Sequence, residues 1–104
     1  MSELIQTRIE GTVFHLALRM SRMDARCAAQ LKEETRAAWQ PNMTSVEVDM
    51  TPVQFIDSSG IGVLLNIYRW LPEGDAHVAL LNVQPAVQSV IELLRLHRIF
   101  RVEG

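Results

Sequence analysis

The feature that most constrains this chain is a turn of small polar residues between a strand pattern and a helix pattern. Residues 46–50 alternate apolar and charged side chains, which predicts a half-buried strand. Further along, apolar residues recur with the three- and four-residue spacing of an amphipathic helix. These helix positions are Ile61, Leu64, Leu65 and Tyr68. The chain therefore has to fold with a strand that leads into a helix near its middle.

The turn between the two patterns reads Asp57-Ser58-Ser59-Gly60-Ile61-Gly62. Aspartate and serine cap helix N-termini, because their oxygens accept amide hydrogens that have no partner in the first turn. Gly60 and Gly62 leave that turn without bulk, so we expect another molecule to approach the backbone closely there. A serine hydroxyl is thus predicted at the positive end of a helix.

A hydroxyl at this position has two interpretations, a helix cap and a phosphoacceptor. Caps are common in Ser-Ser-Gly sequences. A phosphate at a helix N-terminus would meet free amide hydrogens and the positive end of the helix dipole, so modification would not require unfolding. It would also place about 1.5 to 2 negative charges next to Asp57, which a partner protein would sense. Composition does not decide between the two.

Residues 55–64, Phe-Ile-Asp-Ser-Ser-Gly-Ile-Gly-Val-Leu, closely resemble the signature of the bacterial anti-sigma factor antagonists, small members of the STAS superfamily. In that family the stretch joins a strand to a helix, and the first serine after the aspartate is phosphorylated. The resemblance therefore implies that Ser58 is the phosphoacceptor. The partner-binding residues that it implies in this turn are Asp57, Ser58, Ser59, Gly60 and Gly62.

The resemblance also implies the partners. An unphosphorylated antagonist binds a serine kinase of the histidine-kinase-like ATPase fold that doubles as an anti-sigma factor, and so frees the sigma factor. Phosphorylation at Ser58 would expel the antagonist, and a Ser/Thr phosphatase would reset it. On this interpretation the chain is a substrate and an effector, not an enzyme, and it needs no cofactor.

The loop before the first predicted helix carries a second part of the resemblance. In the family this loop holds a glycine-containing turn that ends in an aspartate close to the phosphoserine. Asp24 matches that aspartate, and we expect it to cap the following helix and to border the partner surface. Arg22 and Met23 stand where the family has a glycine-acidic-leucine sequence, so the loop is expected to differ in shape.

The start of the chain predicts a β-hairpin. Residues 4–9 and 12–18 alternate well enough for two strands, with Glu10-Gly11 as the two-residue turn. The predicted buried positions on these strands are Ile5, Ile9, Phe14, Leu16 and Leu18. The positions that point to the other face are more polar, which predicts a sheet with one face under helices and the other partly exposed.

The rest of the chain continues the alternation of strands and helices. Residues 77–83 predict a buried parallel strand, Pro85 suits the first turn of a last helix, and residues 99–102 predict a short terminal strand. We therefore expect a single α/β domain over residues 1–104. Its mixed sheet has four to five strands, with helices packed mainly on one face.

Composition excludes several classes of function. The formal net charge is −2 with both signs interspersed, unlike a nucleic-acid-binding face. Cys27 is the single cysteine and the three histidines are scattered, so we expect neither a disulfide nor a metal site. No apolar segment approaches the roughly 20 residues that cross a bilayer, and residues 1–4 do not begin a signal peptide. We expect a cytoplasmic protein without membrane contact.

Two other functions stay open at this point. One is a phosphorylation-independent STAS interaction module, such as a subunit of a signalling scaffold or a transport ATPase. The other is a small serine hydrolase with Ser58 as its nucleophile. The hydrolase is disfavoured, because the Gly-x-Ser-x-Gly sequence is absent and no histidine is placed to act as a general base.

Overall fold

The structure is a computed structural model that describes residues 4–104. The prediction that no signal peptide begins at residues 1–4 falls mostly on residues 1–3, which lie outside the described part. Its elements alternate between strands and helices, as predicted. In chain order they are β1 (Ile5–Glu10), β2 (Val13–Leu18), β3 (Arg22–Met23), α1 (Ala25–Ala38), β4 (Ser45–Asp49), β5 (Phe55–Ile56), α2 (Ser58–Trp70), β6 (His77–Leu81), α3 (Pro85–Leu93), a 3₁₀ turn (Leu96–Arg98) and β7 (Phe100–Val102).

The main sheet has five strands in the order β1-β2-β4-β6-β7. β1 and β2 are antiparallel, and each following pair is parallel. β3 and β5 form a second, two-stranded parallel sheet. The predicted α/β fold with a mixed sheet is confirmed, and the count of four to five strands fits the main sheet.

The first hairpin has the predicted strands, but its turn lies one residue later. Glu10 pairs with Val13, so the turn residues are Gly11 and Thr12 instead of Glu10 and Gly11. Gly11 has φ +60°, a left-handed conformation that glycine adopts without steric cost. The first position of a two-residue hairpin turn needs that conformation, which explains why the glycine lies there.

One face of the main sheet carries the core and the other is partly exposed. On the core face of β2 and β4, the side chains of Phe14, Leu16 and Val48 are buried. On the opposite face, His15 and Glu47 are half-buried. The described residues form one hydrophobic cluster that joins this core face to the helices.

Ile9 was predicted in the core, and that prediction is wrong. Its side chain is 38% exposed, whereas Ile5 at the other end of the same strand is 6% exposed. β1 is an edge strand with a neighbouring strand on one side, so strand alternation there does not guarantee cover on the core face.

The helices begin and end where local signals predict. α2 ends at Trp70, just before the proline-containing loop, and α3 begins at Pro85. In α2, Ile61 and Leu64 are buried as predicted. Tyr68 is instead 39% exposed, with its ring edge-on to Phe100 at a centroid distance of 6.2 Å.

The carboxyl end of β4 is tied to that of β6 through Asp49. Its Oδ1 accepts hydrogen bonds from the Thr51 amide at 3.0 Å and from Asn82 Nδ2 at 3.1 Å. The hydrogen bond from the Thr51 hydroxyl is the main reason that the pKa of Asp49 lies below its ordinary value. The carboxylate therefore links the turn after β4 to the residue that follows β6.

Two findings concern other classes of function. None of the described helices has the length and hydrophobicity needed to cross a membrane. Within residues 4–104, no group of three or more histidine, cysteine, aspartate or glutamate side chains is arranged to hold a metal ion.

Candidate functional site

The strand that leads into α2 is β5, not the predicted strand at residues 46–50. β4 ends at Asp49, and the loop after it buries Met50 and Val53 before β5 begins. β5 consists of Phe55 and Ile56 alone, which is too short for an alternating pattern to show in the sequence. The predicted strand-to-helix turn thus exists, with a different strand before it.

β3 and β5 bring the starts of two helices together. Met23 pairs with Ile56 in this parallel sheet, and the Asp57 amide donates to the Met23 carbonyl at 3.3 Å. Each strand is followed directly by an aspartate that caps a helix, Asp24 for α1 and Asp57 for α2. The two N-caps therefore occupy neighbouring positions at one end of the small sheet.

Asp57 performs the capping of α2. Its Oδ1 accepts from the amide of Ser59 at 2.8 Å and from the amide of Gly60 at 3.2 Å. A phosphate at this helix start was expected to meet free amide hydrogens, and for these two amides that expectation is wrong because the Asp57 carboxylate already binds them.

Ser58 is the first residue of α2 and its side chain is exposed. Because the cap is Asp57, the helix does not depend on the Ser58 hydroxyl for its N-terminal hydrogen bonds. Ser59, next to it, is half-buried. The hydroxyl of Ser58 therefore lies at the surface on a helix start whose backbone another residue holds in place.

Gly60 and Gly62 have different roles, although the sequence predicts the same one for both. A Cβ on Gly60 would lie 2.3 Å from the Met23 carbonyl oxygen and 2.8 Å from Ile56 Cγ1. Gly60 is buried, so the chain itself fills the space that a side chain would take, and that space is not open to a partner. A Cβ on Gly62 would meet nothing within 4 Å, which leaves that position open to another molecule.

Asp24 is 9% exposed and is held from two sides. Its Oδ1 accepts from the Arg26 amide at 3.0 Å, which caps α1, and its Oδ2 accepts from Arg22 Nε at 3.3 Å. The structure therefore places Asp24 beside the second helix start, with its carboxylate bound within the chain. Of these two side chains, Arg22 is the one exposed to solvent.

Arg22 and Phe55 form an exposed pair that the sequence does not predict. The Arg22 guanidinium carbon lies 4.1 Å from the centroid of the Phe55 ring, a cation–π geometry. Phe55 is 40% exposed at the strand that precedes the Asp57-Ser58 turn. The sequence shows that Arg22 departs from the family pattern. The pairing of Arg22 with Phe55 follows from the register of β3 and β5 and has no sequence signal.

Comparison with known proteins gives one family and several similar structures. Residues 5–104 match the family model of the STAS domain. An anti-sigma-factor antagonist (STAS) domain protein from Planctomyces limnophilus is 20% identical, with a TM-score of 0.85 over 100% of this chain and 91% of that one. The anti-sigma factor antagonist SpoIIAA in its unphosphorylated form is 22% identical, with a TM-score of 0.76 over 96% of this chain and 88% of that one. The phosphorylated form of the Bacillus protein SpoIIAA gives a TM-score of 0.68 at 22% identity, over 96% and 91%. At these identities the likenesses show a shared fold.

Proposed function

Because this chain belongs to the STAS domain family, we propose that it is an anti-sigma factor antagonist controlled by phosphorylation of Ser58. Unphosphorylated, it binds a serine kinase of the histidine-kinase-like ATPase fold that also serves as an anti-sigma factor, and it thereby frees the sigma factor. Phosphorylation releases the chain, and a Ser/Thr phosphatase restores it. Catalysis belongs to these partners, and the chain supplies the acceptor hydroxyl.

The observation that carries this proposal is the exposed Ser58 hydroxyl on a helix start that Asp57 caps. A kinase has to reach the acceptor oxygen without unfolding the substrate, and exposure at the first helical residue allows that. The cap also means that modifying Ser58 removes no hydrogen bond on which α2 depends. The phosphorylated and unphosphorylated chains are therefore expected to share one fold and to differ in charge.

The negative charge of Asp57 beside Ser58 supports the expectation that a phosphate on Ser58 weakens binding. The amides of Ser59 and Gly60 are already bound to the Asp57 carboxylate. A phosphate of about −1.5 to −2 charges on Ser58 would thus add to the negative charge of Asp57. Forcing such an anion into a protein interface costs several kcal/mol, and ~3 kcal/mol is already about a hundredfold in affinity.

The docking surface on this proposal centres on Ser58. Ser59 and the open side of Gly62 continue it along the first turn of α2, while Gly60 shapes it from within by letting α2 pack against β3. The exposed Phe55 ring, with Arg22 stacked on it, supplies the aromatic and cationic groups that are enriched where protein interfaces concentrate binding energy.

Incubation with ATP and a purified serine kinase of the histidine-kinase-like ATPase fold tests the proposal by intact mass. We expect one phosphoryl group on the wild-type chain, none on the Ser58→Ala variant, and one on the Ser59→Ala variant, which is the matched control. Phosphate on the Ser58→Ala variant would contradict the assignment of the site. A kinase that binds the chain and leaves it unmodified would instead support the phosphorylation-independent interaction module.

A further inference from the structure

β1 is a long, exposed edge of the main sheet. It has six residues and pairs with β2 on one side, while β7 at the opposite edge has three residues. Every residue of β1 after Ile5 is exposed. Edge strands offer backbone groups to other chains, and proteins usually protect them by short length, proline or charge. β1 has no proline, and its charged residues, Arg8 and Glu10, are of opposite sign.

Ile9 is the apolar residue that this edge leaves exposed. Because side chains alternate along a strand, Ile9 lies on the face of the sheet that carries the helices, and Arg8 and Glu10 lie on the other face. The Glu10 carboxylate is found there, 3.0 Å from His15 Nε2. The end of β1 thus presents an apolar side chain on one face and two opposite charges on the other.

The backbone amide and carbonyl groups of Ile9, like those of Thr7, point away from β2. The Arg19 amide donates to the Leu4 carbonyl at 2.9 Å, and this bond shows which residues of β1 turn their backbone groups toward β2. In an antiparallel ladder, alternate residues turn their backbone groups toward the partner strand and the others turn them away. The even-numbered residues of β1 therefore face β2, and Thr7 and Ile9 direct their amide and carbonyl groups away from the sheet.

We propose that β1 pairs antiparallel with β1 of a second copy of this chain, about a twofold axis that passes through Ile9. The backbone groups of the two Ile9 residues then bond to each other, and their side chains meet on the helix-bearing face. Arg8 of each copy lies opposite Glu10 of the other, so the symmetry gives two pairs of opposite charge. Because β1 ends at Glu10, residues 8–10 of each copy lie opposite each other, and the two five-stranded sheets join at this end of β1.

The charges favour this register over the neighbouring one. An axis through Thr7 would also use the outward backbone groups, but it would set Arg8 opposite Gln6 and lose both ion pairs. In a symmetric dimer both copies use the same surface, so that surface has to be complementary to itself. An axis through Ile9 meets this requirement, because it sets each Arg8 opposite a Glu10. The proposed surface includes none of the residues assigned to the Ser58 site, so it does not depend on the proposed function.

Sedimentation equilibrium on the full chain tests this dimer. We expect the wild type to reach about twice the 11.8 kDa monomer mass as concentration rises. The Arg8→Glu variant places carboxylates opposite each other, and the Glu10→Arg variant places guanidinium groups opposite each other. Each change is expected to raise the dissociation constant on the order of tenfold or more, with the circular dichroism spectrum unchanged.

An equimolar mixture of the two variants is the decisive sample. One copy then contributes two carboxylates and the other two guanidinium groups, so a mixed dimer with wild-type affinity is expected. Both variants also lose the ion pair between Arg8 and Glu10 within one chain, and mixing does not restore that pair. Recovery of dimerisation on mixing would therefore come from ion pairs between the copies. A wild type that stays monomeric, single variants that associate like the wild type, or a mixture no tighter than its components would each overturn the proposal.

Discussion

A Gly60→Ala variant is expected to lose on the order of 3 kcal/mol of unfolding free energy, at the upper end of the usual cost of overpacking. The added methyl group would lie 2.3 Å from the Met23 carbonyl oxygen and 2.9 Å from Met23 Cγ. A backbone oxygen cannot rotate away as a side chain can, so α2 has to move from β3. That movement would strain the helix start that presents Ser58.

Gly62→Ala is the matched control for this prediction. The same methyl group meets nothing within 4 Å at this position, and alanine has a higher helix propensity than glycine by about 1 kcal/mol. The control is therefore expected to be neutral or up to about 1 kcal/mol more stable. Urea unfolding followed by circular dichroism measures both variants. Equal stabilities for the two would show that Gly60 does not make the close contact with Met23.

A Ser58→Asp variant is expected to bind the kinase at least about tenfold more weakly than the wild type, because it buries a carboxylate next to Asp57 in the interface. A Ser58→Ala variant is expected to bind as tightly as the unphosphorylated chain and to stay bound when ATP is added. Titration calorimetry of each variant into the purified kinase gives the affinities.

Stability separates this effect from misfolding. An acidic residue in the first turn of a helix stabilises it by about 0.3–1 kcal/mol, so the Ser58→Asp variant is expected to be no less stable than the wild type. Weak binding by a fully folded variant would then reflect charge at the interface. Equal affinities for the Ser58→Ala and Ser58→Asp variants would contradict control by charge at this residue.

The parts of the fold that follow from local signals could be predicted from the sequence. Alternation located β1, β2 and β4, and in β2 and β4 it reflects one face toward the core. Prolines marked the end of α2 and the start of α3, since proline disfavours helical angles before it and suits a first turn. A cap among Asp57, Ser58 and Ser59 could be predicted, because aspartate and serine oxygens both accept first-turn amide hydrogens, and the structure assigns it to Asp57.

The parts that depend on contacts between distant segments could not be predicted in this way. β3 and β5 have two residues each, so they carry no periodic signal and exist because they pair with each other. The packing of Gly60 on Met23, and the stacking of Arg22 on Phe55, follow from that pairing. Ile9 has the sequence pattern of a core residue, and its exposure follows from the edge position of β1.

The most direct test of control by Ser58 compares one chain in two chemical states. The unphosphorylated chain and the chain carrying a single phosphate on Ser58 would be titrated into the same kinase in the presence of ADP. We expect the phosphorylated chain to bind about a hundredfold more weakly, as a desolvated dianion beside Asp57 requires. Equal affinities in the two states would contradict the proposed switch.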